Sequence, residues 1–283
     1  VTRDQNPVSL VGVDFEDEHD TMKNPVTDIC DLNRELPPDA PDAPQWLVDA
    51  LQVPREEGWV NSDGCDVHYF RWGDPANPPL LLMHGFLAHA RCMAFIAPFL
   101  AEQYHVVAYD LSGMGDSGVR STYPDAVRAQ EVVDVARETG LFDHAIKPIV
   151  IAHSYGGHVG LAAMNDFHEL FGGLVVCDLM VLRPERLKAH FAGGRPMRSD
   201  TSRPNRIYPT YDEAKSRFVL SPNQPCGEPY LFHYMAYHSL KQVDGGWTWK
   251  FDTSVFDSDF SLKERILNQV CLLYTSPSPR DDR

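Results

Sequence analysis

The sequence contains no paired CxxC and no HExxH, so neither a thiolate metal site nor a helix-borne two-histidine site is indicated. Its apolar runs are far too short to cross a bilayer, and its acidic N-terminus lacks the basic-then-apolar layout of a secretory signal. Basic residues are outnumbered: 25 Lys and Arg face 40 Asp and Glu, a formal charge of −15. That excess repels phosphate backbones and anionic lipid, which speaks against nucleic acid and membrane partners. The six cysteines (Cys30, Cys65, Cys92, Cys177, Cys226 and Cys271) follow no pairing rhythm. A reducing, cytoplasmic setting without a disulfide framework is expected, with Cys177 acting as a small hydrophobe in an apolar strand. There is no internal repeat.

What is present suffices for a core, since apolar residues make up 43% and charged residues 23% of 283. Residues 1–56 read as an acidic, Pro-rich arm with one short helix at Gln45–Leu51, because proline cannot donate to a ladder. The first residue is Val, which leaves Met22 as a candidate start. From Trp59 the pattern changes: an Asp63-Gly64 turn between alternating residues (Val67, Tyr69, Arg71) predicts a β-hairpin. Short apolar strands at Leu80–Met83, His105–Tyr109, Ile149–Ala152 and Leu174–Cys177 then alternate with helices at Ala94–Tyr104, Tyr123–Thr139 and Gly157–His168. In the second helix Ala126, Val132, Val133 and Ala136 are expected on one side. Strands apolar on both faces and separated by helices predict an α/β fold with a mostly parallel, doubly wound sheet.

After Leu182 the alternation stops. Residues 183–252 are rich in Arg, Pro, Tyr and His and read as an inserted helical cap, with helices at Asp212–Phe218 and Tyr230–Leu240. A strand-like Trp247–Phe251 and a helix Leu262–Val270 lead back toward the sheet, so 253–270 are assigned to the core. Residues 271–283 resemble the read-through of a sequencing adapter, and the biological sequence is expected to end near Val270.

The chemistry-bearing segment is Ala152-His153-Ser154-Tyr155-Gly156-Gly157, placed between a strand and a helix. A serine on such an elbow is held in a strained conformation that exposes its hydroxyl, and small flanking residues let neighbouring backbones approach. About seventy residues earlier, His84-Gly85-Phe86 follows a strand. There the Phe86 amide, together with that of Tyr155, could face an oxyanion formed on Ser154. Asp110-Leu111-Ser112-Gly113-Met114-Gly115-Asp116-Ser117-Gly118 contains a literal GxGxxG. A dinucleotide site is rejected, because loop residues continue to Pro124 where a helix should open at once.

Taken in order and spacing, His84-Gly85-Phe86, the Asp110-x-x-Gly113-x-Gly115-x-Ser117 loop and His153-Ser154-x-Gly156-Gly157 resemble the α/β-hydrolase superfamily over residues 57–182. The resemblance implies Ser154 as catalytic nucleophile, Phe86 and Tyr155 as oxyanion-hole donors, no cofactor or metal, and a small-molecule substrate. A serine elbow departs from the carboxylate elbow of epoxide hydrolases and dehalogenases. The family's triad order is Ser, then acid, then His, and no seventh or eighth strand supplying acid and base can be found before residue 271. Asp178 ends the sixth strand, a position that supplies the acid in a minority of the family. His190, His233 and His238 fall in the cap and read as pocket lining or surface, and His153 as elbow packing. The expectation is thus a C-terminally truncated fragment, with an apolar sheet edge left open and at most residual activity. For the full-length protein a carboxylic-ester hydrolase acting on a small apolar or aromatic substrate is expected. The alternatives are a carbon–carbon bond hydrolase of ring-cleavage products and a non-catalytic ligand-binding protein of the same fold.

Overall fold

The computed structural model describes residues 26–28, 36–37, 42–179, 203–220 and 223–257. At its centre is a seven-stranded sheet: β1 (Val26–Asp28), β2 (Arg55–Ser62), β3 (Cys65–Trp72), β4 (Pro79–Met83), β5 (His105–Tyr109), β6 (Ile149–His153) and β7 (Gly173–Cys177). The strand order is β1-β2-β3-β5-β4-β6-β7, parallel from β5 to β7 and antiparallel from β1 to the β3–β5 pair.

The predicted hairpin forms, with Asp63 at φ 46° and Gly64 at φ 74° supplying the two positive-φ positions that a tight turn between twisted strands requires. The arm contributes more than its prolines suggest, because β1 pairs with β2 as an added edge strand. Its helix α1 (Gln45–Gln52) buries Leu47, Ala50 and Leu51.

Each central strand is buried on both faces. Leu81, Met83, Val107 and Tyr109 enter one core, while Leu80, Leu82, Val106 and Ala108 enter the other. The first core is closed by α3 (Asp125–Glu138) and α4 (Tyr155–Phe167). The second is closed by α1 and by residues around α2 (Ala97–Ala101). The sheet is therefore doubly wound, as the apolar strand runs imply.

Several elements depart from expectation. The helix expected at Ala94–Tyr104 is a 3-10 turn at Ala90–Met93 followed by the five-residue α2. Pro98 lies in α2's first turn, where its missing amide costs nothing and a longer preceding helix is blocked. In α3, Ala126 is exposed, and the buried face holds Arg128 and Glu131 beside Ala129, Val132, Val133 and Ala136. Cys177 is exposed rather than packed, because β7 forms the sheet's outer edge among the described residues, with Val175 and Val176 also exposed.

Residues 203–257 pack on the loops that follow β4 and β5. They contain α5 (Tyr211–Lys215), α6 (Pro229–His238) and a hairpin of β8 (Leu240–Val243) and β9 (Gly246–Trp249). Thr210 caps α5, its hydroxyl accepting the Glu213 amide at 3.2 Å. The strand expected at Trp247–Phe251 thus ends at Trp249, and Phe251 bridges Met114 instead. The Asp252 amide donates to Gly113 O at 2.8 Å, and Tyr234 of α6 donates to Arg91 O at 3.2 Å. The helix expected at Leu262–Val270, His190 and the segment 271–283 lie outside the described residues. No helix among the described residues is long and apolar enough to cross a membrane.

Candidate active site

The carboxyl ends of β4, β5 and β6 carry three adjacent loops, because β4 sits between β5 and β6 while the chain visits them in the order β4, β5, β6. This reversal is where α/β sheets open a crevice. Ser154 occupies the turn from β6 into α4, at φ 50° and ψ −116°. Such a backbone is costly for any residue with a Cβ and persists only when its surroundings enforce it. Here they do: the Ser154 amide donates to Cys177 O at 2.8 Å, and its carbonyl accepts from Gly157 N at 2.9 Å.

Two glycines make the elbow possible. A Cβ on Gly156 would stand 2.5 Å from His84 O and 3.1 Å from the Met83 carbonyl carbon, so only glycine lets α4 start against β4. A Cβ on Gly85 would stand 3.0 Å from His153 Nδ1 and 3.4 Å from Ser154 Cβ. The loop carrying Phe86 is thus packed directly on Ser154, and the two segments singled out in the sequence are brought together.

The rings of Phe86 and Tyr155 meet edge to face with centroids 5.2 Å apart. Phe86 N–H has no hydrogen-bond partner among the described residues. Tyr155 opens α4, and the amides of a helix's first turn find no acceptor within the helix. The side chain of Ser154 is half-buried and makes no cap hydrogen bond.

His84 organises this corner. It is fully buried between the two loops, its Nδ1 2.7 Å from Gly85 O and its Nε2 accepting the Leu111 amide at 3.0 Å. Nε2 must carry a lone pair to accept, so the proton sits on Nδ1, the donor to Gly85 O. Burial lowers its pKa from 6.5 and keeps this neutral tautomer in place.

Behind the loop after β5 lies a charged cluster that sequence reasoning missed. His68 of β3 is buried, with Nδ1 2.7 Å from Asp110 Oδ2 and Nε2 2.8 Å from Glu57 Oε1. Burial opposes the charged ring, but the hydrogen bonds to the two carboxylates outweigh it and raise its pKa to about 9. Asp110 also accepts from the amides of Ala90 and Asp116, at 2.5 and 2.9 Å. A Cβ on Gly115 would lie 2.2 Å from that carboxyl carbon, which explains the second glycine of the rejected GxGxxG. His68, Asp110 and Asp116 are close enough to hold a cation, but His68 and Asp110 bond each other and Asp116 pairs with Lys250 at 2.6 Å.

The remaining candidates do not reach the serine. No side chain among the described residues hydrogen-bonds Ser154 Oγ. Asp178 adopts φ 53° at the end of β7. His233 lies beside Lys215 Nζ, 2.8 Å away. His238 packs on Tyr234, centroids 4.5 Å apart. His153 is exposed while its ring abuts Gly85, so it packs on the elbow's outer side. His158, one turn into α4, meets Asp125 with Nε2 2.9 Å from Oδ1 and ties α4 to α3.

A cavity of about 360 Å³ opens between the loop Phe86–Cys92 and residues 208–251. Phe86, Leu87 and Ala88 form one wall, and Phe218, Leu220, Met235, Trp249 and Phe251 much of the other. Phe86 therefore belongs both to the elbow and to the cavity.

A family model described as "Alpha/beta hydrolase family" matches residues 80–266. Soluble epoxide hydrolase of Corynebacterium sp. (strain C12) is 30% identical over 132 residues, 46% of this chain and 43% of that protein. A serine hydrolase-like protein of Danio rerio is 26% identical over 203 residues, 68% of this chain and 58% of its own length. The chain spans about half the length of the curated relatives it matches. The crystal structure of E-2-(acetamidomethylene)succinate hydrolase superposes with a TM-score of 0.57 at 18% identity, covering 76% of this chain and 74% of that one, a likeness of fold alone.

Proposed function

The chain belongs to the alpha/beta hydrolase family, and from that membership and the elbow geometry we propose that the whole protein is a serine hydrolase acting on carboxylic esters. The observation that carries the reading is Ser154, held at φ 50° between strand and helix, its hydroxyl unengaged among the described residues and the Phe86 loop packed against it.

In the proposed reaction Ser154 Oγ attacks the acyl carbon while its proton passes to a base. The C–O bond to the alcohol then breaks, the alcohol takes up that proton, and water releases the acid from the acyl-enzyme. Phe86 N–H and Tyr155 N–H hold the negative oxygen of the tetrahedral intermediate. Losing one such donor typically costs about 2.7–4 kcal/mol of barrier. A serine at the elbow supports ester over epoxide chemistry, which the family runs from a carboxylate. The base is a histidine that follows the acid in the family's order. No described histidine hydrogen-bonds Ser154 Oγ. Residues 203–252 act as the cap, and the apolar cavity beneath them takes a small apolar or aromatic substrate.

Prolonged exposure to a fluorophosphonate probe, with the adduct located by peptide mass spectrometry, tests the proposal. Ser154 should be the labelled serine, and Ser154→Ala should lose the adduct. No labelling, or equal labelling of the variant, would overturn it.

A further inference from the structure

The apolar cavity has one charged residue on its wall among those described, Arg217. Elsewhere in the described structure Arg71, Arg91, Arg120, Arg128, Arg137 and Arg206 each lie within 4 Å of a carboxylate. Arg217 has no such partner among the described residues, although the chain carries 40 acidic residues against 25 basic ones. Arg217 is exposed and solvated in the free protein, and at the edge of an apolar cavity it can exchange that water for an anionic group of a ligand.

Two of the other polar side chains on the wall, Ser239 and Cys92, are engaged within the protein. The Ser239 hydroxyl donates to Met235 O at 2.7 Å and lies 3.1 Å from His89 Nε2. Cys92 Sγ lies 3.6 Å from His89 Nδ1, and burial pushes its thiol up to about 12, so it stays protonated. The guanidinium of Arg217 is the one charged donor that the described wall offers a polar ligand group.

We propose that the substrate bears a carboxylate of its own, remote from the scissile ester. Its apolar body would fill the cavity, its carboxylate would pair with Arg217, and its reacting carbonyl would lie at Phe86. The inference rests on the ester-hydrolase reading and names its substrate class. A planar guanidinium fork matches a carboxylate bidentately. A dianionic phosphate fits less well, since one cation must balance two charges within a protein of net charge −15.

The test uses binding, which needs no turnover. Isothermal titration compares 4-phenylbutyrate with its neutral isostere 4-phenylbutanamide on the full chain, on Arg217→Gln and on Arg217→Lys. The full chain should bind the carboxylate about tenfold more tightly, as one charge-assisted pair allows. Arg217→Gln should bind both compounds alike, and Arg217→Lys should restore part of the preference. Equal binding of the two compounds by the full chain, no binding of either, or a preference that survives Arg217→Gln would overturn the inference. Labelling of Ser154 without a carboxylate preference removes this inference and leaves the hydrolase reading standing. A preference lost in Arg217→Gln beside an unlabelled Ser154 keeps the carboxylate site and removes the ester reading.

Discussion

His68 Nδ1 lies 2.7 Å from Asp110 Oδ2, and both side chains are buried. This pair ties β3 to the loop after β5 and so fixes the floor on which the Phe86 loop rests, because Asp110 also accepts the Ala90 amide at 2.5 Å. The folded-state pKa of His68, about 9, lies above its ordinary 6.5. Its contribution to stability is therefore complete below pH 6.5 and is lost as pH rises through 9. Asp110 and Glu57 are held below their usual range despite burial, chiefly through His68, so their contributions are lost on acidification. Melting curves should show a plateau near neutrality and a fall in Tm from pH 7 to pH 10. His68→Phe should abolish the alkaline slope and cost about 3–5 kcal/mol, because Asp110 would keep its buried charge without a counter-ion. An alkaline slope unchanged in the variant would assign the effect to other groups.

Gly156 and Gly85 should differ in what an added methyl does. At Gly156 the new Cβ meets backbone, His84 O at 2.5 Å, which cannot swing aside. Gly156→Ala should cost about 1–3 kcal/mol by overpacking, and the elbow should lose its probe reactivity. At Gly85 the nearest atom is the exposed His153 ring at 3.0 Å, which can turn away. Gly85→Ala should therefore be the milder change. Urea titrations of both variants check the ranking, and a reversed order would refute the close-approach account.

The buried face of α3 carries a second charge cluster. Glu131 accepts the Ser112 amide at 3.3 Å and Arg120 Nε at 2.8 Å, and lies 3.5 Å from Arg128 Nη1. Glu131→Gln leaves the buried guanidinium of Arg128 without its neutralising charge. It should cost about 3–5 kcal/mol, whereas Arg137→Gln, which disturbs an exposed pair, should cost less than about 1 kcal/mol. Thermal denaturation of the two variants gives the comparison. Equal costs would mean that Arg128 is neutralised by some other group.

These clusters mark the limit of what residue order can convey. The elbow was legible because strand, serine, glycine and helix are contiguous, and the His84-Gly85-Phe86 loop because it follows an unmistakable apolar run. The partners of His68 lie 11 and 42 residues away, and nothing in an alternating strand distinguishes a charged core histidine from an exposed one. Apolar periodicity placed Ala126 inward, yet the buried side of α3 went to Arg128 and Glu131. Charges can be buried when they satisfy one another, and a hydrophobic pattern carries no record of that. Strand β1 was hidden for a different reason: three residues inside a proline-rich arm are too few to show alternation.

The backbone of Ser154 offers a test independent of catalysis. A residue with a Cβ at φ 50° and ψ −116° carries about 1–3 kcal/mol of local strain. Glycine adopts such angles freely, although it gives back about 0.5–1 kcal/mol through the greater entropy of the unfolded chain. The hydroxyl makes no cap hydrogen bond, so its removal forfeits no hydrogen bond among the described residues. Ser154→Gly should therefore raise stability by up to about 2 kcal/mol, or about 2–4 °C in Tm per kcal/mol, while eliminating probe labelling. The stored strain is what a serine needs if its function is to stand exposed at a turn rather than to pack. Were the glycine variant to melt lower than the parent, Ser154 would be serving the fold, and the elbow would lose its claim to be a reactive site.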